Sequence, residues 1–233
     1  SVPKTSTFEA GYRIGGMAKG AGMLAPGMAT MLSVITTDAV IDAADLDATF
    51  RGCVAATFDR VDADGCMSTN DTVIVLANGA SGVPADDRFA GGLHQVCADL
   101  SRQLAADAEG ASKLIDVRVV GAASVADAEE AARAVARSAL FKCAMFGEDP
   151  NWGRVLSAVG TTSAQFDPLH IDVAINGVTV CRDSGPGEPR DTVDLSGRDI
   201  EVVIDLHAGE HTVTIVTTDL TTDYVHENSA YST

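Results

Sequence analysis

The sequence predicts an α/β protein with mixed α+β layers, and the order of its patterns is the first reason. Helical and strand patterns alternate through most of the chain, whereas hairpin patterns gather towards its end. The apolar content of 46% over 233 residues is the second reason, because it can fill a substantial core. This order favours layered sheets and helices over a simple doubly wound sheet.

The individual elements follow from periodicity and turn signals. Strands are expected at 31–37, 72–77, 113–120, 171–181, 200–206 and 212–217. Helices are expected at 42–61, 86–109, 124–141 and 152–159, with an irregular entry at 1–13 and a glycine-rich loop at 15–29. Asn176-Gly177 predicts a tight hairpin turn, and Ala208-Gly209 predicts that the last two strands pair with each other.

Charge and cysteine usage exclude several classes of protein. The formal net charge of −17 argues against nucleic acid and against anionic membrane surfaces as partners. The five cysteines are scattered without a CxxC pair, and no HExxH is present, so neither a disulfide framework nor a metal site is expected. With no signal-peptide pattern, we expect a reduced, cytoplasmic protein.

The longest uncharged run, residues 20–37, is the first place to look for chemistry. Its glycines, proline and threonines make it a poor membrane helix, so it must be buried or border a buried site. Within it, a small residue, Ala29, precedes Thr30 between a flexible loop and a stiff apolar strand. This arrangement suits attack of the Thr30 hydroxyl on the Ala29 carbonyl, followed by hydrolysis of the ester.

Such cleavage creates a threonine hydroxyl beside its own α-amine. The unperturbed pKa of that amine is roughly 7.7–8.0, so it can accept the hydroxyl proton as a general base. The spacing alone also fits a plainer interpretation, because glycine-rich loops often precede strands and a threonine at a strand start is commonly only a β-former. No P-loop, GxGxxG or GxSxG motif offers a competing constellation.

The run Lys19 to Leu32 resembles the cleavage-site signature of the ornithine acetyltransferases, also called bifunctional glutamate N-acetyltransferase/amino-acid acetyltransferase. The resemblance spans nearly the whole chain in order. It continues through the segments 36–39, 68–72, 107–110, 149–154 and 227–231. Glycine at position 27 departs from the polar residue expected before Met-Ala-Thr in that family.

The resemblance implies a self-processing acetyltransferase fold of the N-terminal-nucleophile type. It implies ping-pong transfer of acetyl from N-acetyl-L-ornithine to L-glutamate through an acetyl-Thr30 intermediate, in arginine biosynthesis. Some members also use acetyl-CoA as a donor, and no other cofactor is implied. Thr30 matches the nucleophile and a substrate contact, and the cleaved bond is Ala29–Thr30.

Four further positions match substrate-binding residues of that family. Lys19 suits a substrate carboxylate in an otherwise acidic protein, and Glu109 suits the ornithine ammonium group. Asn228 and Thr233 match contacts near the carboxyl terminus. Without the resemblance, Lys19 and Glu109 would be solvated surface charges, and the tail would be frayed. Asn151 and Trp152 are interpreted as structural.

The resemblance also implies a segmented molecule. Residues 1–29 would end an α segment, and residues 30–233 would form the catalytic β segment, with possible subdomains 30–160 and 161–233. Two copies of each segment would form an α2β2 heterotetramer. Family members carry much more chain upstream, where the oxyanion-hole donors lie, so we expect this sequence to be one part of a longer protein.

Two other functions remain open at this stage. An amidohydrolase or aminopeptidase would use the same N-terminal threonine, with water replacing glutamate as the acceptor. A non-catalytic acidic domain would keep the fold and neither cleave itself nor carry an acetyl group. The sequence also leaves open whether acetyl-CoA is a donor.

Overall fold

The computed structural model describes residues 3–22, 31–66 and 70–230. Its contacts divide the chain into two compact units, Ser1–Ala108 and Glu109–Thr233. The unit boundary differs from the sequence division between residues 160 and 161, because the strand 114–122 shares a sheet with strands that follow residue 171. The boundary before Thr30 concerns chain cleavage and stays a prediction.

The first unit is a sheet with two helices against one of its faces. Its elements are β1 (Lys4–Glu9), β2 (Arg13–Lys19), β3 (Leu32–Thr37), α1 (Ala43–Ala56), β4 (Thr72–Ala77) and α2 (Phe89–Ala106). The strand order is β1-β2-β3-β4, in which β3 and β4 are parallel and the other neighbours are antiparallel. Helix α1 makes the crossover that parallel neighbours require.

The helix-facing side of this sheet forms a packed core. The six residues predicted as the apolar stripe of α2 are all buried: Phe89, Leu93, Val96, Cys97, Leu100 and Leu104. Asp42 caps α1 by accepting a hydrogen bond from the Ala44 amide, which fixes the start predicted from the sequence. Burial raises the pKa of the Cys97 thiol to about 12, so this cysteine stays neutral in the core.

The prediction of a glycine-rich loop at residues 15–29 was wrong for residues 15–19. Residues 13–19 are strand β2, paired on both sides, and residues 4–9 of the predicted irregular entry are strand β1. A side chain at Gly16 would place its Cβ 2.9 Å from Leu100 Cδ1. Glycine at that position therefore allows α2 to approach the sheet, rather than marking a loop.

The second unit has a larger sheet, again with helices packed on one face. Its strands are β5 (Leu114–Ala122), β6 (Asp172–Ile175), β7 (Val178–Arg182), β8 (Gly185–Pro186), β9 (Asp199–Asp205) and β10 (His211–Thr218). Its helices are α3 (Val125–Ala136), α4 (Ala139–Phe146), α5 (Trp152–Val159) and α6 (Thr222–Ser229). The strand order is β10-β5-β9-β6-β7-β8, with only β5 and β9 running parallel among these neighbours of the described chain.

Three sequence expectations need correction in this unit. Strands β9 and β10 form as predicted but do not pair with each other, because β5 lies between them. Their connection crosses the end of β5, where the Ala208 and Gly209 amides both donate to the Gly121 carbonyl. The helix predicted at 124–141 is two helices separated by Ser138, which caps α4. Part of the polar tail is helix α6.

Candidate active site

Three of the predicted site residues, Ala29, Thr30 and Thr233, lie outside the described residues. Met31 is the first described residue after Thr30, and a peptide bond joins the two residues. The structure therefore bears on the predicted nucleophile only through the start of strand β3.

Two consecutive residues hold the backbone of Met31 at this point. The Met31 amide donates to Asp71 Oδ1 at 2.8 Å, and the Met31 carbonyl accepts from the Thr72 amide at 3.0 Å. The side chain of Met31 is partly buried against the core of the first unit. The residue that follows Thr30 is thus fixed on both sides of its α-carbon, and Asp71 had no predicted role.

Lys19 lies at the end of β2, in register with Leu32 on β3. Its side chain is exposed, and it shares the outward-facing side of the sheet with Met17 and Leu32, which are also exposed. The predicted substrate-binding cation Lys19 therefore lies on the strand next to β3, which begins two residues after Thr30. An exposed ammonium beside apolar side chains can bind a carboxylate that has an aliphatic neighbour.

Glu109 stands in the turn that opens the second unit, and it is half-buried. The next residue, Gly110, has a positive φ of 64°, and a Cβ there would come within 2.3 Å of the Tyr224 amide nitrogen. Thr221 closes the contact by donating from Oγ1 to the Gly110 carbonyl at 2.5 Å. Thr221 also caps α6 by accepting from the Tyr224 amide at 2.9 Å.

Asn228 lies on α6, one turn beyond Tyr224. Its Nδ2 donates to the Tyr224 carbonyl at 2.9 Å, and the residue is exposed. Because the turn after Glu109 packs on the start of α6, the structure brings the turn that carries Glu109 against the helix that carries Asn228. The printed contacts involve Gly110, and a shared substrate for Glu109 and Asn228 stays a prediction from the sequence.

The Asp-Pro-Asn-Trp-Gly-Arg motif forms the start of α5. Asn151 caps this helix by accepting from the Arg154 amide at 3.3 Å, and its Nδ2 donates to Asp149 Oδ2 at 2.9 Å. Trp152 packs against the core of the second unit, in agreement with its structural interpretation. It also borders a shallow cavity of about 530 Å³, lined by Asn151, Trp152, Gly153, Val180, Pro186, Gly187, Glu188, Pro189 and Arg190.

Neither a metal centre nor a transmembrane helix is found in the part of the chain that the structure describes. Across residues 3–22, 31–66 and 70–230, no three His, Cys, Asp or Glu side chains are grouped to hold a metal ion. Over the same ranges, every helix is too short or too polar to cross a bilayer.

The fold defines a mixed α/β protein with two sheets, each packed against helices on one face, and a solved structure shares this fold. The crystal structure of arginine biosynthesis bifunctional protein ArgJ from Bacillus halodurans matches with a TM-score of 0.80 and 35% sequence identity. The match covers 85% of this chain and 98% of that one. It confirms the predicted fold class.

The chain belongs to the ArgJ family, whose model matches residues 1–233. The arginine biosynthesis bifunctional protein ArgJ of Thermobifida fusca is 62% identical over 96% of this chain and 58% of its own length. Its namesake from Streptomyces avermitilis is 61% identical over 100% of this chain and 61% of its own length. The chain thus spans about three fifths of these relatives. The family suspected from the sequence is confirmed.

Proposed function

We propose that the whole protein is a glutamate N-acetyltransferase/ornithine acetyltransferase of arginine biosynthesis. The observation that carries the proposal is the match of the full chain to the ArgJ family, with relatives named as bifunctional arginine biosynthesis proteins. The chain would cut itself between Ala29 and Thr30 and then transfer acetyl groups through Thr30. The fixed start of β3 supports this choice of nucleophile, since a reacting residue needs a rigid neighbour.

In the first half-reaction, the Thr30 hydroxyl attacks the acetyl carbonyl of N-acetyl-L-ornithine. Its proton passes to the Thr30 α-amine, and the tetrahedral intermediate collapses when that amine gives the proton to the departing ornithine nitrogen. The products are ornithine and an acetyl ester on Thr30. In the second half-reaction, the amine of L-glutamate attacks the ester carbonyl and gives up a proton through the Thr30 α-amine to the departing Thr30 oxygen. The products are N-acetyl-L-glutamate and the free threonine.

The charged positions suit two related amino-acid substrates. Lys19 would pair with the substrate α-carboxylate, which ornithine and glutamate share. Glu109 would pair with the side-chain ammonium of ornithine, and Asn228 and Thr233 would contact the substrate from the carboxyl-terminal part. The arrangement of Glu109 beside helix α6 supports this grouping.

A further segment of the protein would complete the enzyme. The outward face of the first sheet exposes Met17, Leu32, Val34, Ile74 and Leu76, at 64%, 45%, 40%, 42% and 56% of their surface. An apolar sheet face of this kind is typical of an interface. We propose that the rest of the α segment covers it, supplies the oxyanion-hole donors, and assembles with the β segment as an α2β2 heterotetramer in the cytoplasm. Acetyl-CoA as a second donor belongs to the same proposal.

The test uses the full-length gene product with Thr30→Ala and, as a matched control, Thr30→Ser. Intact mass spectrometry should show a wild-type fragment that begins at Thr30 and gains one acetyl group on incubation with N-acetylornithine. Thr30→Ala should remain uncut and lose at least about 1000-fold in acetyl transfer to glutamate, because the nucleophile is gone. Thr30→Ser keeps a hydroxyl and should retain measurable cleavage and transfer.

Parallel reactions with and without glutamate separate transfer from hydrolysis. Acetate released at the same rate in both would support the amidohydrolase instead. An uncut wild-type chain that never gains an acetyl group would support a domain that keeps the fold without the activity.

A further inference from the structure

We propose that Asp71 is a positioning residue for the nucleophile: its carboxylate holds the Met31 amide and thereby fixes the backbone of Thr30. The inference rests on the proposed function and adds a residue that had no predicted role. It follows from a hydrogen bond at the end of a strand ladder, where a side chain replaces a backbone partner.

The parallel ladder between β3 and β4 begins with the pair Leu32 and Thr72. The Thr72 amide still reaches the Met31 carbonyl, at 3.0 Å. On the other side of Met31, Asp71 Oδ1 accepts the amide hydrogen at 2.8 Å, so the carboxylate takes the place of a ladder carbonyl. Asp71 and Thr72 together hydrogen-bond the amide and the carbonyl of Met31, the residue bonded to Thr30.

These two hydrogen bonds matter because cleavage would turn Thr30 into a chain terminus. Terminal residues fray unless their backbone is tied down. Acyl transfer requires the nucleophile within a few tenths of an ångström of its working position, and a displacement of 1 Å costs about 100-fold in rate. A terminus whose second residue is held at both amide and carbonyl cannot fray beyond its first residue.

The environment of Asp71 also fits a fixed rather than a solvated carboxylate. The residue is half-buried. Burial raises the pKa of the Asp71 carboxyl above its ordinary value, and the hydrogen bond from the Met31 amide opposes that rise by favouring the ionised form.

The test compares Asp71→Ala and Asp71→Asn in the full-length protein. Asparagine keeps an oxygen that can accept from the Met31 amide, whereas alanine does not. Asp71→Ala should slow cleavage before Thr30 and lower kcat for acetyl transfer by about 10- to 100-fold, with KM for N-acetylornithine unchanged. Asp71→Asn should restore both rates to within about threefold of the wild type, because it restores the hydrogen bond.

Asp38 provides a matched control in the same sheet. Its Oδ1 accepts from the Arg13 amide at 2.6 Å, which is the same type of clamp at the far end of β3. Asp38→Ala should lower the melting temperature as Asp71→Ala does and leave the cleavage rate and kcat at wild-type values. The pair therefore separates loss of stability from loss of positioning.

The outcomes divide cleanly. If the wild type transfers acetyl groups and Asp71→Ala does so at an equal kcat, Asp71 does not position the nucleophile, while the proposed function stands. A wild type without acetyl transfer overturns both. If Asp71→Ala does not fold, Asp71→Asn decides: a folded asparagine variant with less than a tenth of the wild-type kcat contradicts the inference, and near-wild-type kcat supports it.

Discussion

The two sheets of this chain solve the same packing problem on one face and differ on the other. Both bury a helix-covered face of aliphatic side chains. The outward face of the second sheet carries more polar side chains, with Asp116 opposite Glu201 and Arg118 opposite Thr214 beside half-buried valines such as Val203 and Val216. The outward face of the first sheet, by contrast, exposes the five large apolar side chains Met17, Leu32, Val34, Ile74 and Leu76.

Sheets that face water on one side normally alternate apolar and polar residues, as residues 115–119 of β5 do in the second sheet. The first sheet breaks that rule beside Lys19 and the start of β3, which adjoins the proposed nucleophile in the sequence. An apolar face at that place indicates a surface evolved for protein or substrate rather than for water. Substitutions on the buried and outward faces of the two sheets should therefore change stability by different amounts.

The largest effect is expected in the core of the second unit. Phe141 is fully buried on α4, so Phe141→Ala should lower the free energy of unfolding by about 3–5 kcal/mol. Its neighbour Leu140 is 62% exposed, and Leu140→Ala should change that free energy by less than about 0.5 kcal/mol. Urea unfolding of the two variants measures both values. Equal losses would mean that this helix packs differently.

A smaller loss is expected on the outward face of the first sheet in the full-length protein. If a further segment covers Ile74, Ile74→Ser should cost about 2–3 kcal/mol, since it buries a hydroxyl in place of a branched side chain. Glu201→Ser, on the polar face of the second sheet, is the matched control and should change stability little. An Ile74→Ser protein as stable as the wild type would mean that water, not protein, meets this face.

The helix-facing side of the first sheet gives opposite signs for adjacent glycines on α2. A Cβ at Gly92 would stand 2.4 Å from Phe8 Cδ1, so Gly92→Ala should destabilise by about 1–2 kcal/mol despite alanine's higher helix propensity. At Gly91 nothing lies within 4 Å, and Gly91→Ala should stabilise by about 0.5–1 kcal/mol. Thermal unfolding compares them, and two changes of the same sign would contradict this packing.

Local patterns were enough to predict most elements, and failed where a distant partner decides the structure. The stripe of α2 and the Asn176-Gly177 hairpin follow from periodicity and turn chemistry. The pairing of β9 and β10 does not, because β5 enters between them from a part of the chain about eighty residues earlier. Gly16 likewise looked like a loop residue, since its role depends on contact with α2.

The site was predictable as far as residue types carried a recognisable motif. Lys19, Glu109 and Asn228 were assigned through the resemblance, and their substrate contacts remain predictions. Asp71 stood within the same motifs without a role, because a hydrogen bond from its carboxylate to a backbone amide forty residues away leaves no pattern in sequence. The clue available was its position directly before a strand parallel to β3.

The smallest effect is expected from an ionic contact at the edge of the first unit, and it depends on pH. Arg88 Nη2 donates to Asp86 Oδ2 at 2.6 Å, and the buried Tyr12 hydroxyl donates to Oδ1 at 2.9 Å. The hydrogen bonds from Arg88 and then from Tyr12 lower the pKa of Asp86 to about 2. The unfolded value is roughly 3.9. A lowered pKa in the folded state gives stability that is present above the unfolded value and lost as pH falls through the folded one.

Asp86→Asn should therefore unfold at a lower urea concentration than the wild type near neutral pH, and this difference in urea midpoint should close between about pH 4 and pH 2. When Tyr12→Phe is combined with each protein, the difference in urea midpoint between Asp86→Asn and its parent should become smaller. It should not vanish, because the contact between Asp86 and Arg88 remains. A gap of constant size from neutral pH to pH 2 would show that Asp86 acts through its shape and not through its charge.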